Sequence, residues 1–480
     1  MASDPARGTP GSEAQPAVTD VNSAVPDAAA VGRSRWTRLI PLAIVVYIIS
    51  FMDRTNIGFA FDDMGKSLHV SLTDTGLAGG IFFIGYLVLQ FPGGHLAEHW
   101  SAKKFVGIMI LIWGVLAILT GLVQNYTELL IVRFFLGVAE GGIWPAILVL
   151  ISHWFPSKER ARAYAFWIMN IAIASIITAP LSGWILSWGD WRWLFIIEGA
   201  FPFLVAAPLW YWLAADTPRD ASWCTPQERE YIERALAEDA AGEPEKGSYR
   251  DVARNPVVWK LVVVYFLIQL GFYGLTLWLP HEITRMIGGG YLTVGWVTAI
   301  PYGAAIIGLW LNGHLADRTG RYRVHVLIST SIAAVALVLS VSVGSLAALS
   351  IAFLSIAMMG ALSYDGPFWA SASRAVPVAL AGGAMGLINA LGNLGGFVGP
   401  YLGGWLQDRS GGSFLTTSIA LAVALALAGA VMLWVGRDGD KPRERTARGA
   451  RSQRRPGAAE VSRSGRAGSR LGVPTSKHGA

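Results

Sequence analysis

Leu129-Leu-Ile-Val-Arg-Phe-Phe-Leu-Gly-Val-Ala-Glu-Gly-Gly-Ile-Trp-Pro145 is an apolar run with two charges, Arg133 and Glu140, set into it. Seven residues are about two helical turns, so both charges fall on one helix face, roughly 10 Å apart along the axis. The residues around them suit lipid, and each ionisable group placed there costs at least ~2.5–3.5 kcal/mol. A helix bears that cost when its charges have a partner or a pathway to serve. A second stretch, Tyr47-Ile-Ile-Ser-Phe-Met-Asp-Arg-Thr-Asn-Ile-Gly58, repeats the arrangement with Asp53 and Arg54. Two apolar helices, each with one acid and one arginine, predict the centre of a membrane protein.

The rest of the composition agrees. Of 480 residues, 53% are hydrophobic and 15% charged, and the mean hydropathy is +0.46. Soluble domains carry about 25% charged residues. The one cysteine, Cys224, excludes an intrachain disulfide and is given no role. The net charge of +6 is unevenly spread. From Arg437 to Ala480 there are twelve Lys or Arg against four Asp or Glu, a surplus of eight that leaves the remainder near −2. That tail reads as a basic disordered cytoplasmic tail, 436–480, obeying the positive-inside bias and not as a nucleic-acid binder. Residues 1–35, rich in Ala, Pro, Gly, Ser and Asp, lack the pattern of a cleaved signal peptide and read as a disordered cytoplasmic tail.

Apolar runs of about 20 residues suffice to cross a bilayer. They lie near 38–61, 75–97, 104–124, 127–152, 162–187 and 192–214, and again near 257–283, 292–316, 324–343, 346–371, 380–407 and 413–435. The polar interval between the two sets, 215–256, reads as a middle loop. Within it Thr225, ahead of Pro226, reads as a helix N-cap. The expected fold is all-α: twelve transmembrane helices in an N-terminal six-helix bundle, 36–214, and a C-terminal one, 257–435. Lys103, Lys104, Lys158, Arg160, Arg162, Arg318, Arg321, Arg323 and Arg374 follow the even-numbered spans two, four, eight and ten. Asp62, Asp63 and Asp74 lie at the other end. The positive-inside bias then places both termini and the middle loop in the cytoplasm of a cell whose inner membrane holds the chain.

The halves repeat. Gly94-His-Leu-Ala-Glu98 aligns with Gly313-His-Leu-Ala-Asp317 at an offset of 219. Ala179-Pro180 aligns with Gly399-Pro400, and Glu140-Gly-Gly-Ile-Trp144 with Asp365-Gly-Pro-Phe-Trp369. Parallel six-helix repeats are a transporter architecture with the binding site near midplane between the halves. No Walker loop is present, so ATP hydrolysis is not expected to drive it. The glycines from Gly392 to Gly404 follow no strand and read as helix-packing surface. His95 and His99 share a helix face without a third ligand type nearby, so neither a metal nor any other cofactor is expected.

The segment Gly313-His-Leu-Ala-Asp-Arg-Thr-Gly-Arg-Tyr-Arg323 resembles the loop signature of the major facilitator superfamily. Asp53-Arg-Thr-Asn-Ile57, Arg133-Phe-Phe-Leu-Gly-Val-Ala-Glu-Gly141 and Gly392-Asn-Leu-Gly-Gly-Phe-Val-Gly-Pro400 together resemble its anion:cation symporter family. Trp191-Arg-Trp-Leu-Phe-Ile-Ile-Glu-Gly199 is most similar to bacterial sugar-acid and aromatic-acid permeases. The resemblance spans about 36–435. It implies a secondary transporter moving an organic anion with protons by alternating access, not an enzyme.

Roles follow from chemistry and resemblance together. Arginine suits a carboxylate because its planar fork binds two oxygens and keeps its proton. Arg54 and Arg133 are therefore expected anion ligands, Arg54 the firmer by resemblance; Arg133 could instead hold Glu140 or Asp53. A carboxyl desolvated in a pore can carry a proton near neutral pH, which makes Asp53 and Glu140 expected proton carriers. Tyr86 and Gln90 share a face of span two, and Asn389 and Asn393 a face of span eleven. Tyr86, Gln90, Asn170, Asn393 and Trp369 complete the expected substrate site; the alternative for each is packing or an interhelical bond. Asp365 departs from the small or neutral residue usual in related permeases. It is either a residue near a membrane face, solvated or paired with Arg374, or, by its symmetry with Glu140, a further proton group or a ligand for a cationic part of the substrate. Gly94, Glu98, Gly313, Asp317, Arg318 and Arg321 are expected to form a conformational latch. The expected partners are a small organic anion, protons and the lipid bilayer, with a monomeric chain and no nucleic acid. Two rivals remain: a proton-coupled drug antiporter, and a receptor that binds solute without moving it.

Overall fold

The computed structural model describes residues 32–435, apart from 169, 243–247 and 345. The two expected tails lie outside the described residues, except for 32–35. Among the described residues, eleven helical stretches are long and apolar enough to cross a membrane. One of them, Leu72–Leu122, has 51 residues. That is about 76 Å of helix against a hydrocarbon core of about 30 Å. It is divided at Ser101, whose backbone is extended (φ −174°) and whose hydroxyl accepts from Lys104 N to cap the following helix. The stretch therefore makes two crossings, spans two (Leu72–Leu96) and three (Ala102–Leu122).

Span one is Ser34–Thr55 followed by Ile57–Leu68; span four is Tyr126–Gly141 and Ile143–Trp154; span five is Ser157–Ile168 and Asn170–Leu186. Span six runs from Trp191 to Leu213. The second half comprises span seven (Pro256–Ile287), span eight (Tyr291–Thr319), span nine (Tyr322–Ser342), span ten (Ala347–Ser363 and Asp365–Ala375), span eleven (Val378–Arg409) and span twelve (Phe414–Met432). Asn125, Asp190, Asn255 and Ser413 each accept a backbone N–H as N-caps. Ser71 closes a capping box with Asp74. These polar residues between apolar runs start the spans where the sequence does.

Span one is longer than expected at both ends. It begins at Ser34 because Arg35 is buried and ion-paired, at 2.8 Å to both Glu159 and Glu228. This network ties the starts of spans one and five to the middle-loop helix Pro226–Gly242, in which Glu228 N donates to Thr225 Oγ1. At the other end Asp62 and Asp63 stay helical, held across the molecule by the second half.

Contacts repeat between the halves. Span one packs on five as seven packs on eleven, two on four as eight on ten, and three on six as nine on twelve. The halves meet along two equivalent seams, span two against eleven and span eight against five. At each seam a glycine fits under the proline motif: a Cβ on Gly76 would strike the Pro400 carbonyl, and one on Gly295 the Ala179 carbonyl and Pro180. Within the first half, Gly85 and Gly137 likewise let spans two and four touch backbone to backbone. Close approach of this kind supplies helix association where lipid tails remove the hydrophobic drive. Outward faces carry exposed apolar side chains such as Leu204, Trp212, Val335 and Val423, a surface suited to lipid and costly in water.

Cross-half bonds concentrate at the acidic end. His281 Nδ1 lies 2.6 Å from Asp62 Oδ1, Tyr291 donates to Asp63 at 2.6 Å, and Thr73 N donates to Asp408 at 2.8 Å. Deeper in, Asn389 Nδ2 donates to Gln90 Oε1 at 3.1 Å.

Candidate functional site

Helical hydrogen bonding is interrupted at Asn56 in span one, Gly142 in span four, Tyr364 in span ten and Asn393 in span eleven. Arg54, Glu140 and Asp365 each sit within two residues of such a break. Breaks at membrane depth free backbone and side chains to face a cavity, and transporters place their sites there.

A cavity lies between the halves. From the first half it is lined by Tyr47, Arg54, Tyr86 and Trp144; from the second by Tyr265, Gln269, Tyr273, Tyr364, Asp365, Trp369, Asn389 and Asn393, among others. Its volume of about 40 Å³ is room for a few waters, so an organic ligand enters only if the halves part.

Arg54 is the cationic wall. It is 3% exposed, and its guanidinium carbon lies 4.7 Å from the Tyr86 ring centroid and 5.2 Å from that of Phe82. Nη1 donates to Tyr273 Oη and Nη2 to Glu140 Oε2, both at 3.3 Å. Ser50 donates to the same Glu140 oxygen at 2.7 Å. Among the described residues, Arg54 Nε and Glu140 Oε1 are buried and find no hydrogen-bond partner. Two long bonds and an idle donor leave the guanidinium able to change partner.

The other charged pair is placed differently. Arg133 does not line the cavity. It is fully buried inside the first half, where Nη1 donates to the Asp53 carbonyl at 3.1 Å and Nε to the Ala78 carbonyl at 3.4 Å. Holding the backbone of span one beside its break is a positioning arrangement, distinct from the anion contact expected of Arg133. Asp53 also faces inward, accepting from Trp113 Nε1 at 2.9 Å. Adjacent residues point about 100° apart, so Arg54 reaches the cavity while Asp53 reaches span three. Gln90 is occupied by Asn389, and Asn170 donates to the Trp167 carbonyl; neither lines the cavity.

The second-half wall is a polar chain. Tyr364 donates to Gln269 at 3.0 Å, Gln269 to Asn393 at 3.1 Å, and Asn393 to the Asn389 carbonyl at 2.7 Å. Asp365 accepts from Trp369 Nε1 at 3.1 Å. Arg374 instead donates to Tyr322 at 3.0 Å, while Tyr322 donates to Asp317 at 3.0 Å. Asp317 is thus engaged within its own half, with Arg318, Arg321 and Glu98 exposed and Gly94 and Gly313 half-buried.

Tyr265, Gln269 and Tyr273 were not among the expected site residues. Their signal is spacing: i, i+4, i+8 on span seven is one helix face. Glu198 has no role among the sequence expectations. It is fully buried and accepts from Asn56 at 2.9 Å and Ser182 at 2.8 Å, bracing the break in span one.

A family profile described as Major Facilitator Superfamily matches residues 43–400. A protein of Agrobacterium vitis, whose name assigns it tartrate transport, is 32% identical over 82% of this chain and 88% of its own length. A quinolone resistance transporter of Acinetobacter baumannii is 31% identical over 78% and 88%. The crystal structure of a bacterial homologue of the human lysosomal transporter Spinster, inward-facing and occupied, superposes with a TM-score of 0.69 at 17% identity. It covers 86% of this chain and all of that one.

Proposed function

The chain belongs to the major facilitator superfamily, and from that premise we propose that it is a symporter carrying an organic anion together with protons, a sugar acid being the favoured class. Membership makes it a multi-pass membrane transporter and not an enzyme. The observation that carries the anion reading is Arg54: a buried guanidinium on the cavity wall, held by one long bond to Glu140 and one to a tyrosine. Its planar fork fits a carboxylate. The relative named for tartrate transport points to the same ligand chemistry.

Charge balance supports proton coupling. Apart from Arg35, which Glu159 and Glu228 already pair, the buried charged residues of the first half are Asp53, Glu140 and Glu198 against Arg54 and Arg133. Three carboxylates against two guanidiniums call for one proton, since an uncompensated buried charge is costly. A monoanion at Arg54 adds a negative charge and draws in another proton. Glu140 is the group to receive it: once neutral, it no longer competes for Arg54. Asp53 is the other proposed proton group in this half. Tyr86, Asn393 and Trp369 are proposed substrate contacts on the cavity wall, and the loops of Glu98 and Asp317 the proposed latch.

The quinolone relative favours a second reading, drug export. Reconstituted protein tested by counterflow with aldonates, hexuronates, aromatic acids and quinolones separates the readings. Exchange of a sugar acid, with accumulation driven by an inward proton gradient, is the expected result. Quinolone exchange without organic-acid exchange would replace this proposal, and saturable binding without exchange would mark a receptor.

A further inference from the structure

We infer that Asp365 and the aromatic rings around it form a subsite for an ammonium group, so that the organic acid carried also bears an ammonium well separated from its carboxylate, an amino-substituted acid in place of the plain sugar acid favoured above; this rests on the reading of Arg54 as the carboxylate ligand. Asp365 lines the same cavity as Arg54 from the opposite half. Among the described residues its carboxylate has one hydrogen-bond donor, Trp369 Nε1, and no ion pair within 4 Å. Arg374, the nearby cation in the sequence, is engaged by Tyr322. Asp365 is half-buried, so its carboxylate is open to a cation that enters the cavity.

The walls beside it suit a cation. Tyr265, Tyr364 and Trp369 line the cavity; the Tyr265 ring centroid lies 5.2 Å from that of Trp369 and 6.4 Å from that of Tyr364. Tyrosine and tryptophan faces attract ammonium groups, most strongly where water is excluded.

Span seven sets the spacing. Tyr273 accepts from Arg54, while Tyr265 packs on Trp369, which holds Asp365. Eight residues of helix separate the two tyrosines, about 12 Å along the axis. A ligand that reaches from one end of this face to the other holds its two charges several bonds apart. An α-amino acid is too short for this span; an ω-amino acid with several intervening carbons fits.

The test compares three probes of equal chain length on the full-length protein in proteoliposomes: ω-aminopentanoate, α-aminopentanoate and pentanoate, each competing in counterflow. The ω-amino acid should bind at least about tenfold more tightly than either other probe. Asp365→Asn should bring all three within about threefold of one another, and Trp369→Phe, which removes the donor that orients the carboxylate, should weaken the preference in the same direction. Equal binding of the three probes, lost together in Arg54→Lys, overturns the ammonium subsite and leaves the anion reading standing. Failure of all three to compete in a wild type that also exchanges no organic anion overturns both. A preference that survives Asp365→Asn, or an unchanged ranking with one proton fewer per cycle, assigns the ammonium elsewhere and overturns the inference.

Discussion

Arg54 on span one donates through Nη2 to Glu140 Oε2 on span four, 3.3 Å away, where both side chains are buried. The acid and the base that meet come from different stretches: Arg54 pairs with Glu140, while Arg133 holds the backbone of Asp53. The bond is at the long end of hydrogen-bonding range, and in the proposed cycle a substrate carboxylate displaces it once Glu140 is protonated.

Arg54→Lys should therefore reduce substrate affinity about 10- to 100-fold, the equivalent of one hydrogen bond to a charged group. An ammonium keeps the charge and loses the fork. Competition binding on purified protein measures it. Wild-type affinity in a folded Lys variant would remove Arg54 from the site.

Glu140→Gln should separate exchange from accumulation. Glutamine mimics the protonated acid, accepts from Ser50 as before and cannot release a proton. Counterflow should persist, while uptake against a gradient under an imposed pH difference should disappear. Accumulation that still follows the pH difference would place the coupling proton elsewhere.

Much of the fold was legible because spans are set by run length and polar caps. Span one runs past its expected C-terminal end because Asp62 and Asp63, polar residues after an apolar run, remain helical where His281 and Tyr291 satisfy them from the other half. The site was legible residue by residue only where the helix face happened to turn inward. Arg54 and Arg133 carry the same signal, a guanidinium in an apolar run, yet one lines the cavity and the other points into its own bundle. Rotation of a span is fixed by its neighbours, and a single sequence does not state it. Tyr265, Gln269 and Tyr273 show in the spacing, but tyrosine in a membrane span serves packing just as well.

Glu198→Ala should destabilise the first half by about 1–3 kcal/mol, because the amide of Asn56 and the hydroxyl of Ser182 lose their buried acceptor. Asn56 sits at the break that directs Arg54, so ligand-induced stabilisation should shrink as well. Glu198→Gln keeps an acceptor oxygen and should recover most of the loss. Thermal unfolding with and without ligand measures both effects. An Ala variant as stable as the wild type would show that the brace is dispensable.

The seam between spans two and eleven offers a way to move the halves without touching the ligand. Gly404 packs directly against the Leu72 carbonyl and the Thr73 backbone, at the acidic end where Asp408 accepts from Leu72 N and Thr73 N. A methyl group there meets backbone, which cannot swing aside, and overpacking of this kind costs about 1–3 kcal/mol. Because the contact lies between the halves, the chain can relieve it by opening the acidic end. Gly137 also meets backbone, at the Phe82 carbonyl, but both partners belong to the first half. Gly404→Ala should therefore shift the conformational balance about 5- to 100-fold toward an open acidic end, with little loss of thermal stability. Gly137→Ala should lower thermal stability and leave the balance alone. Distances between spin labels at the acidic ends of spans two and eleven, in a Cys224→Ser background, report the first effect and calorimetry the second. A Gly404→Ala variant whose label distances match the wild type while its unfolding temperature falls would make this seam ordinary packing and not part of the moving interface.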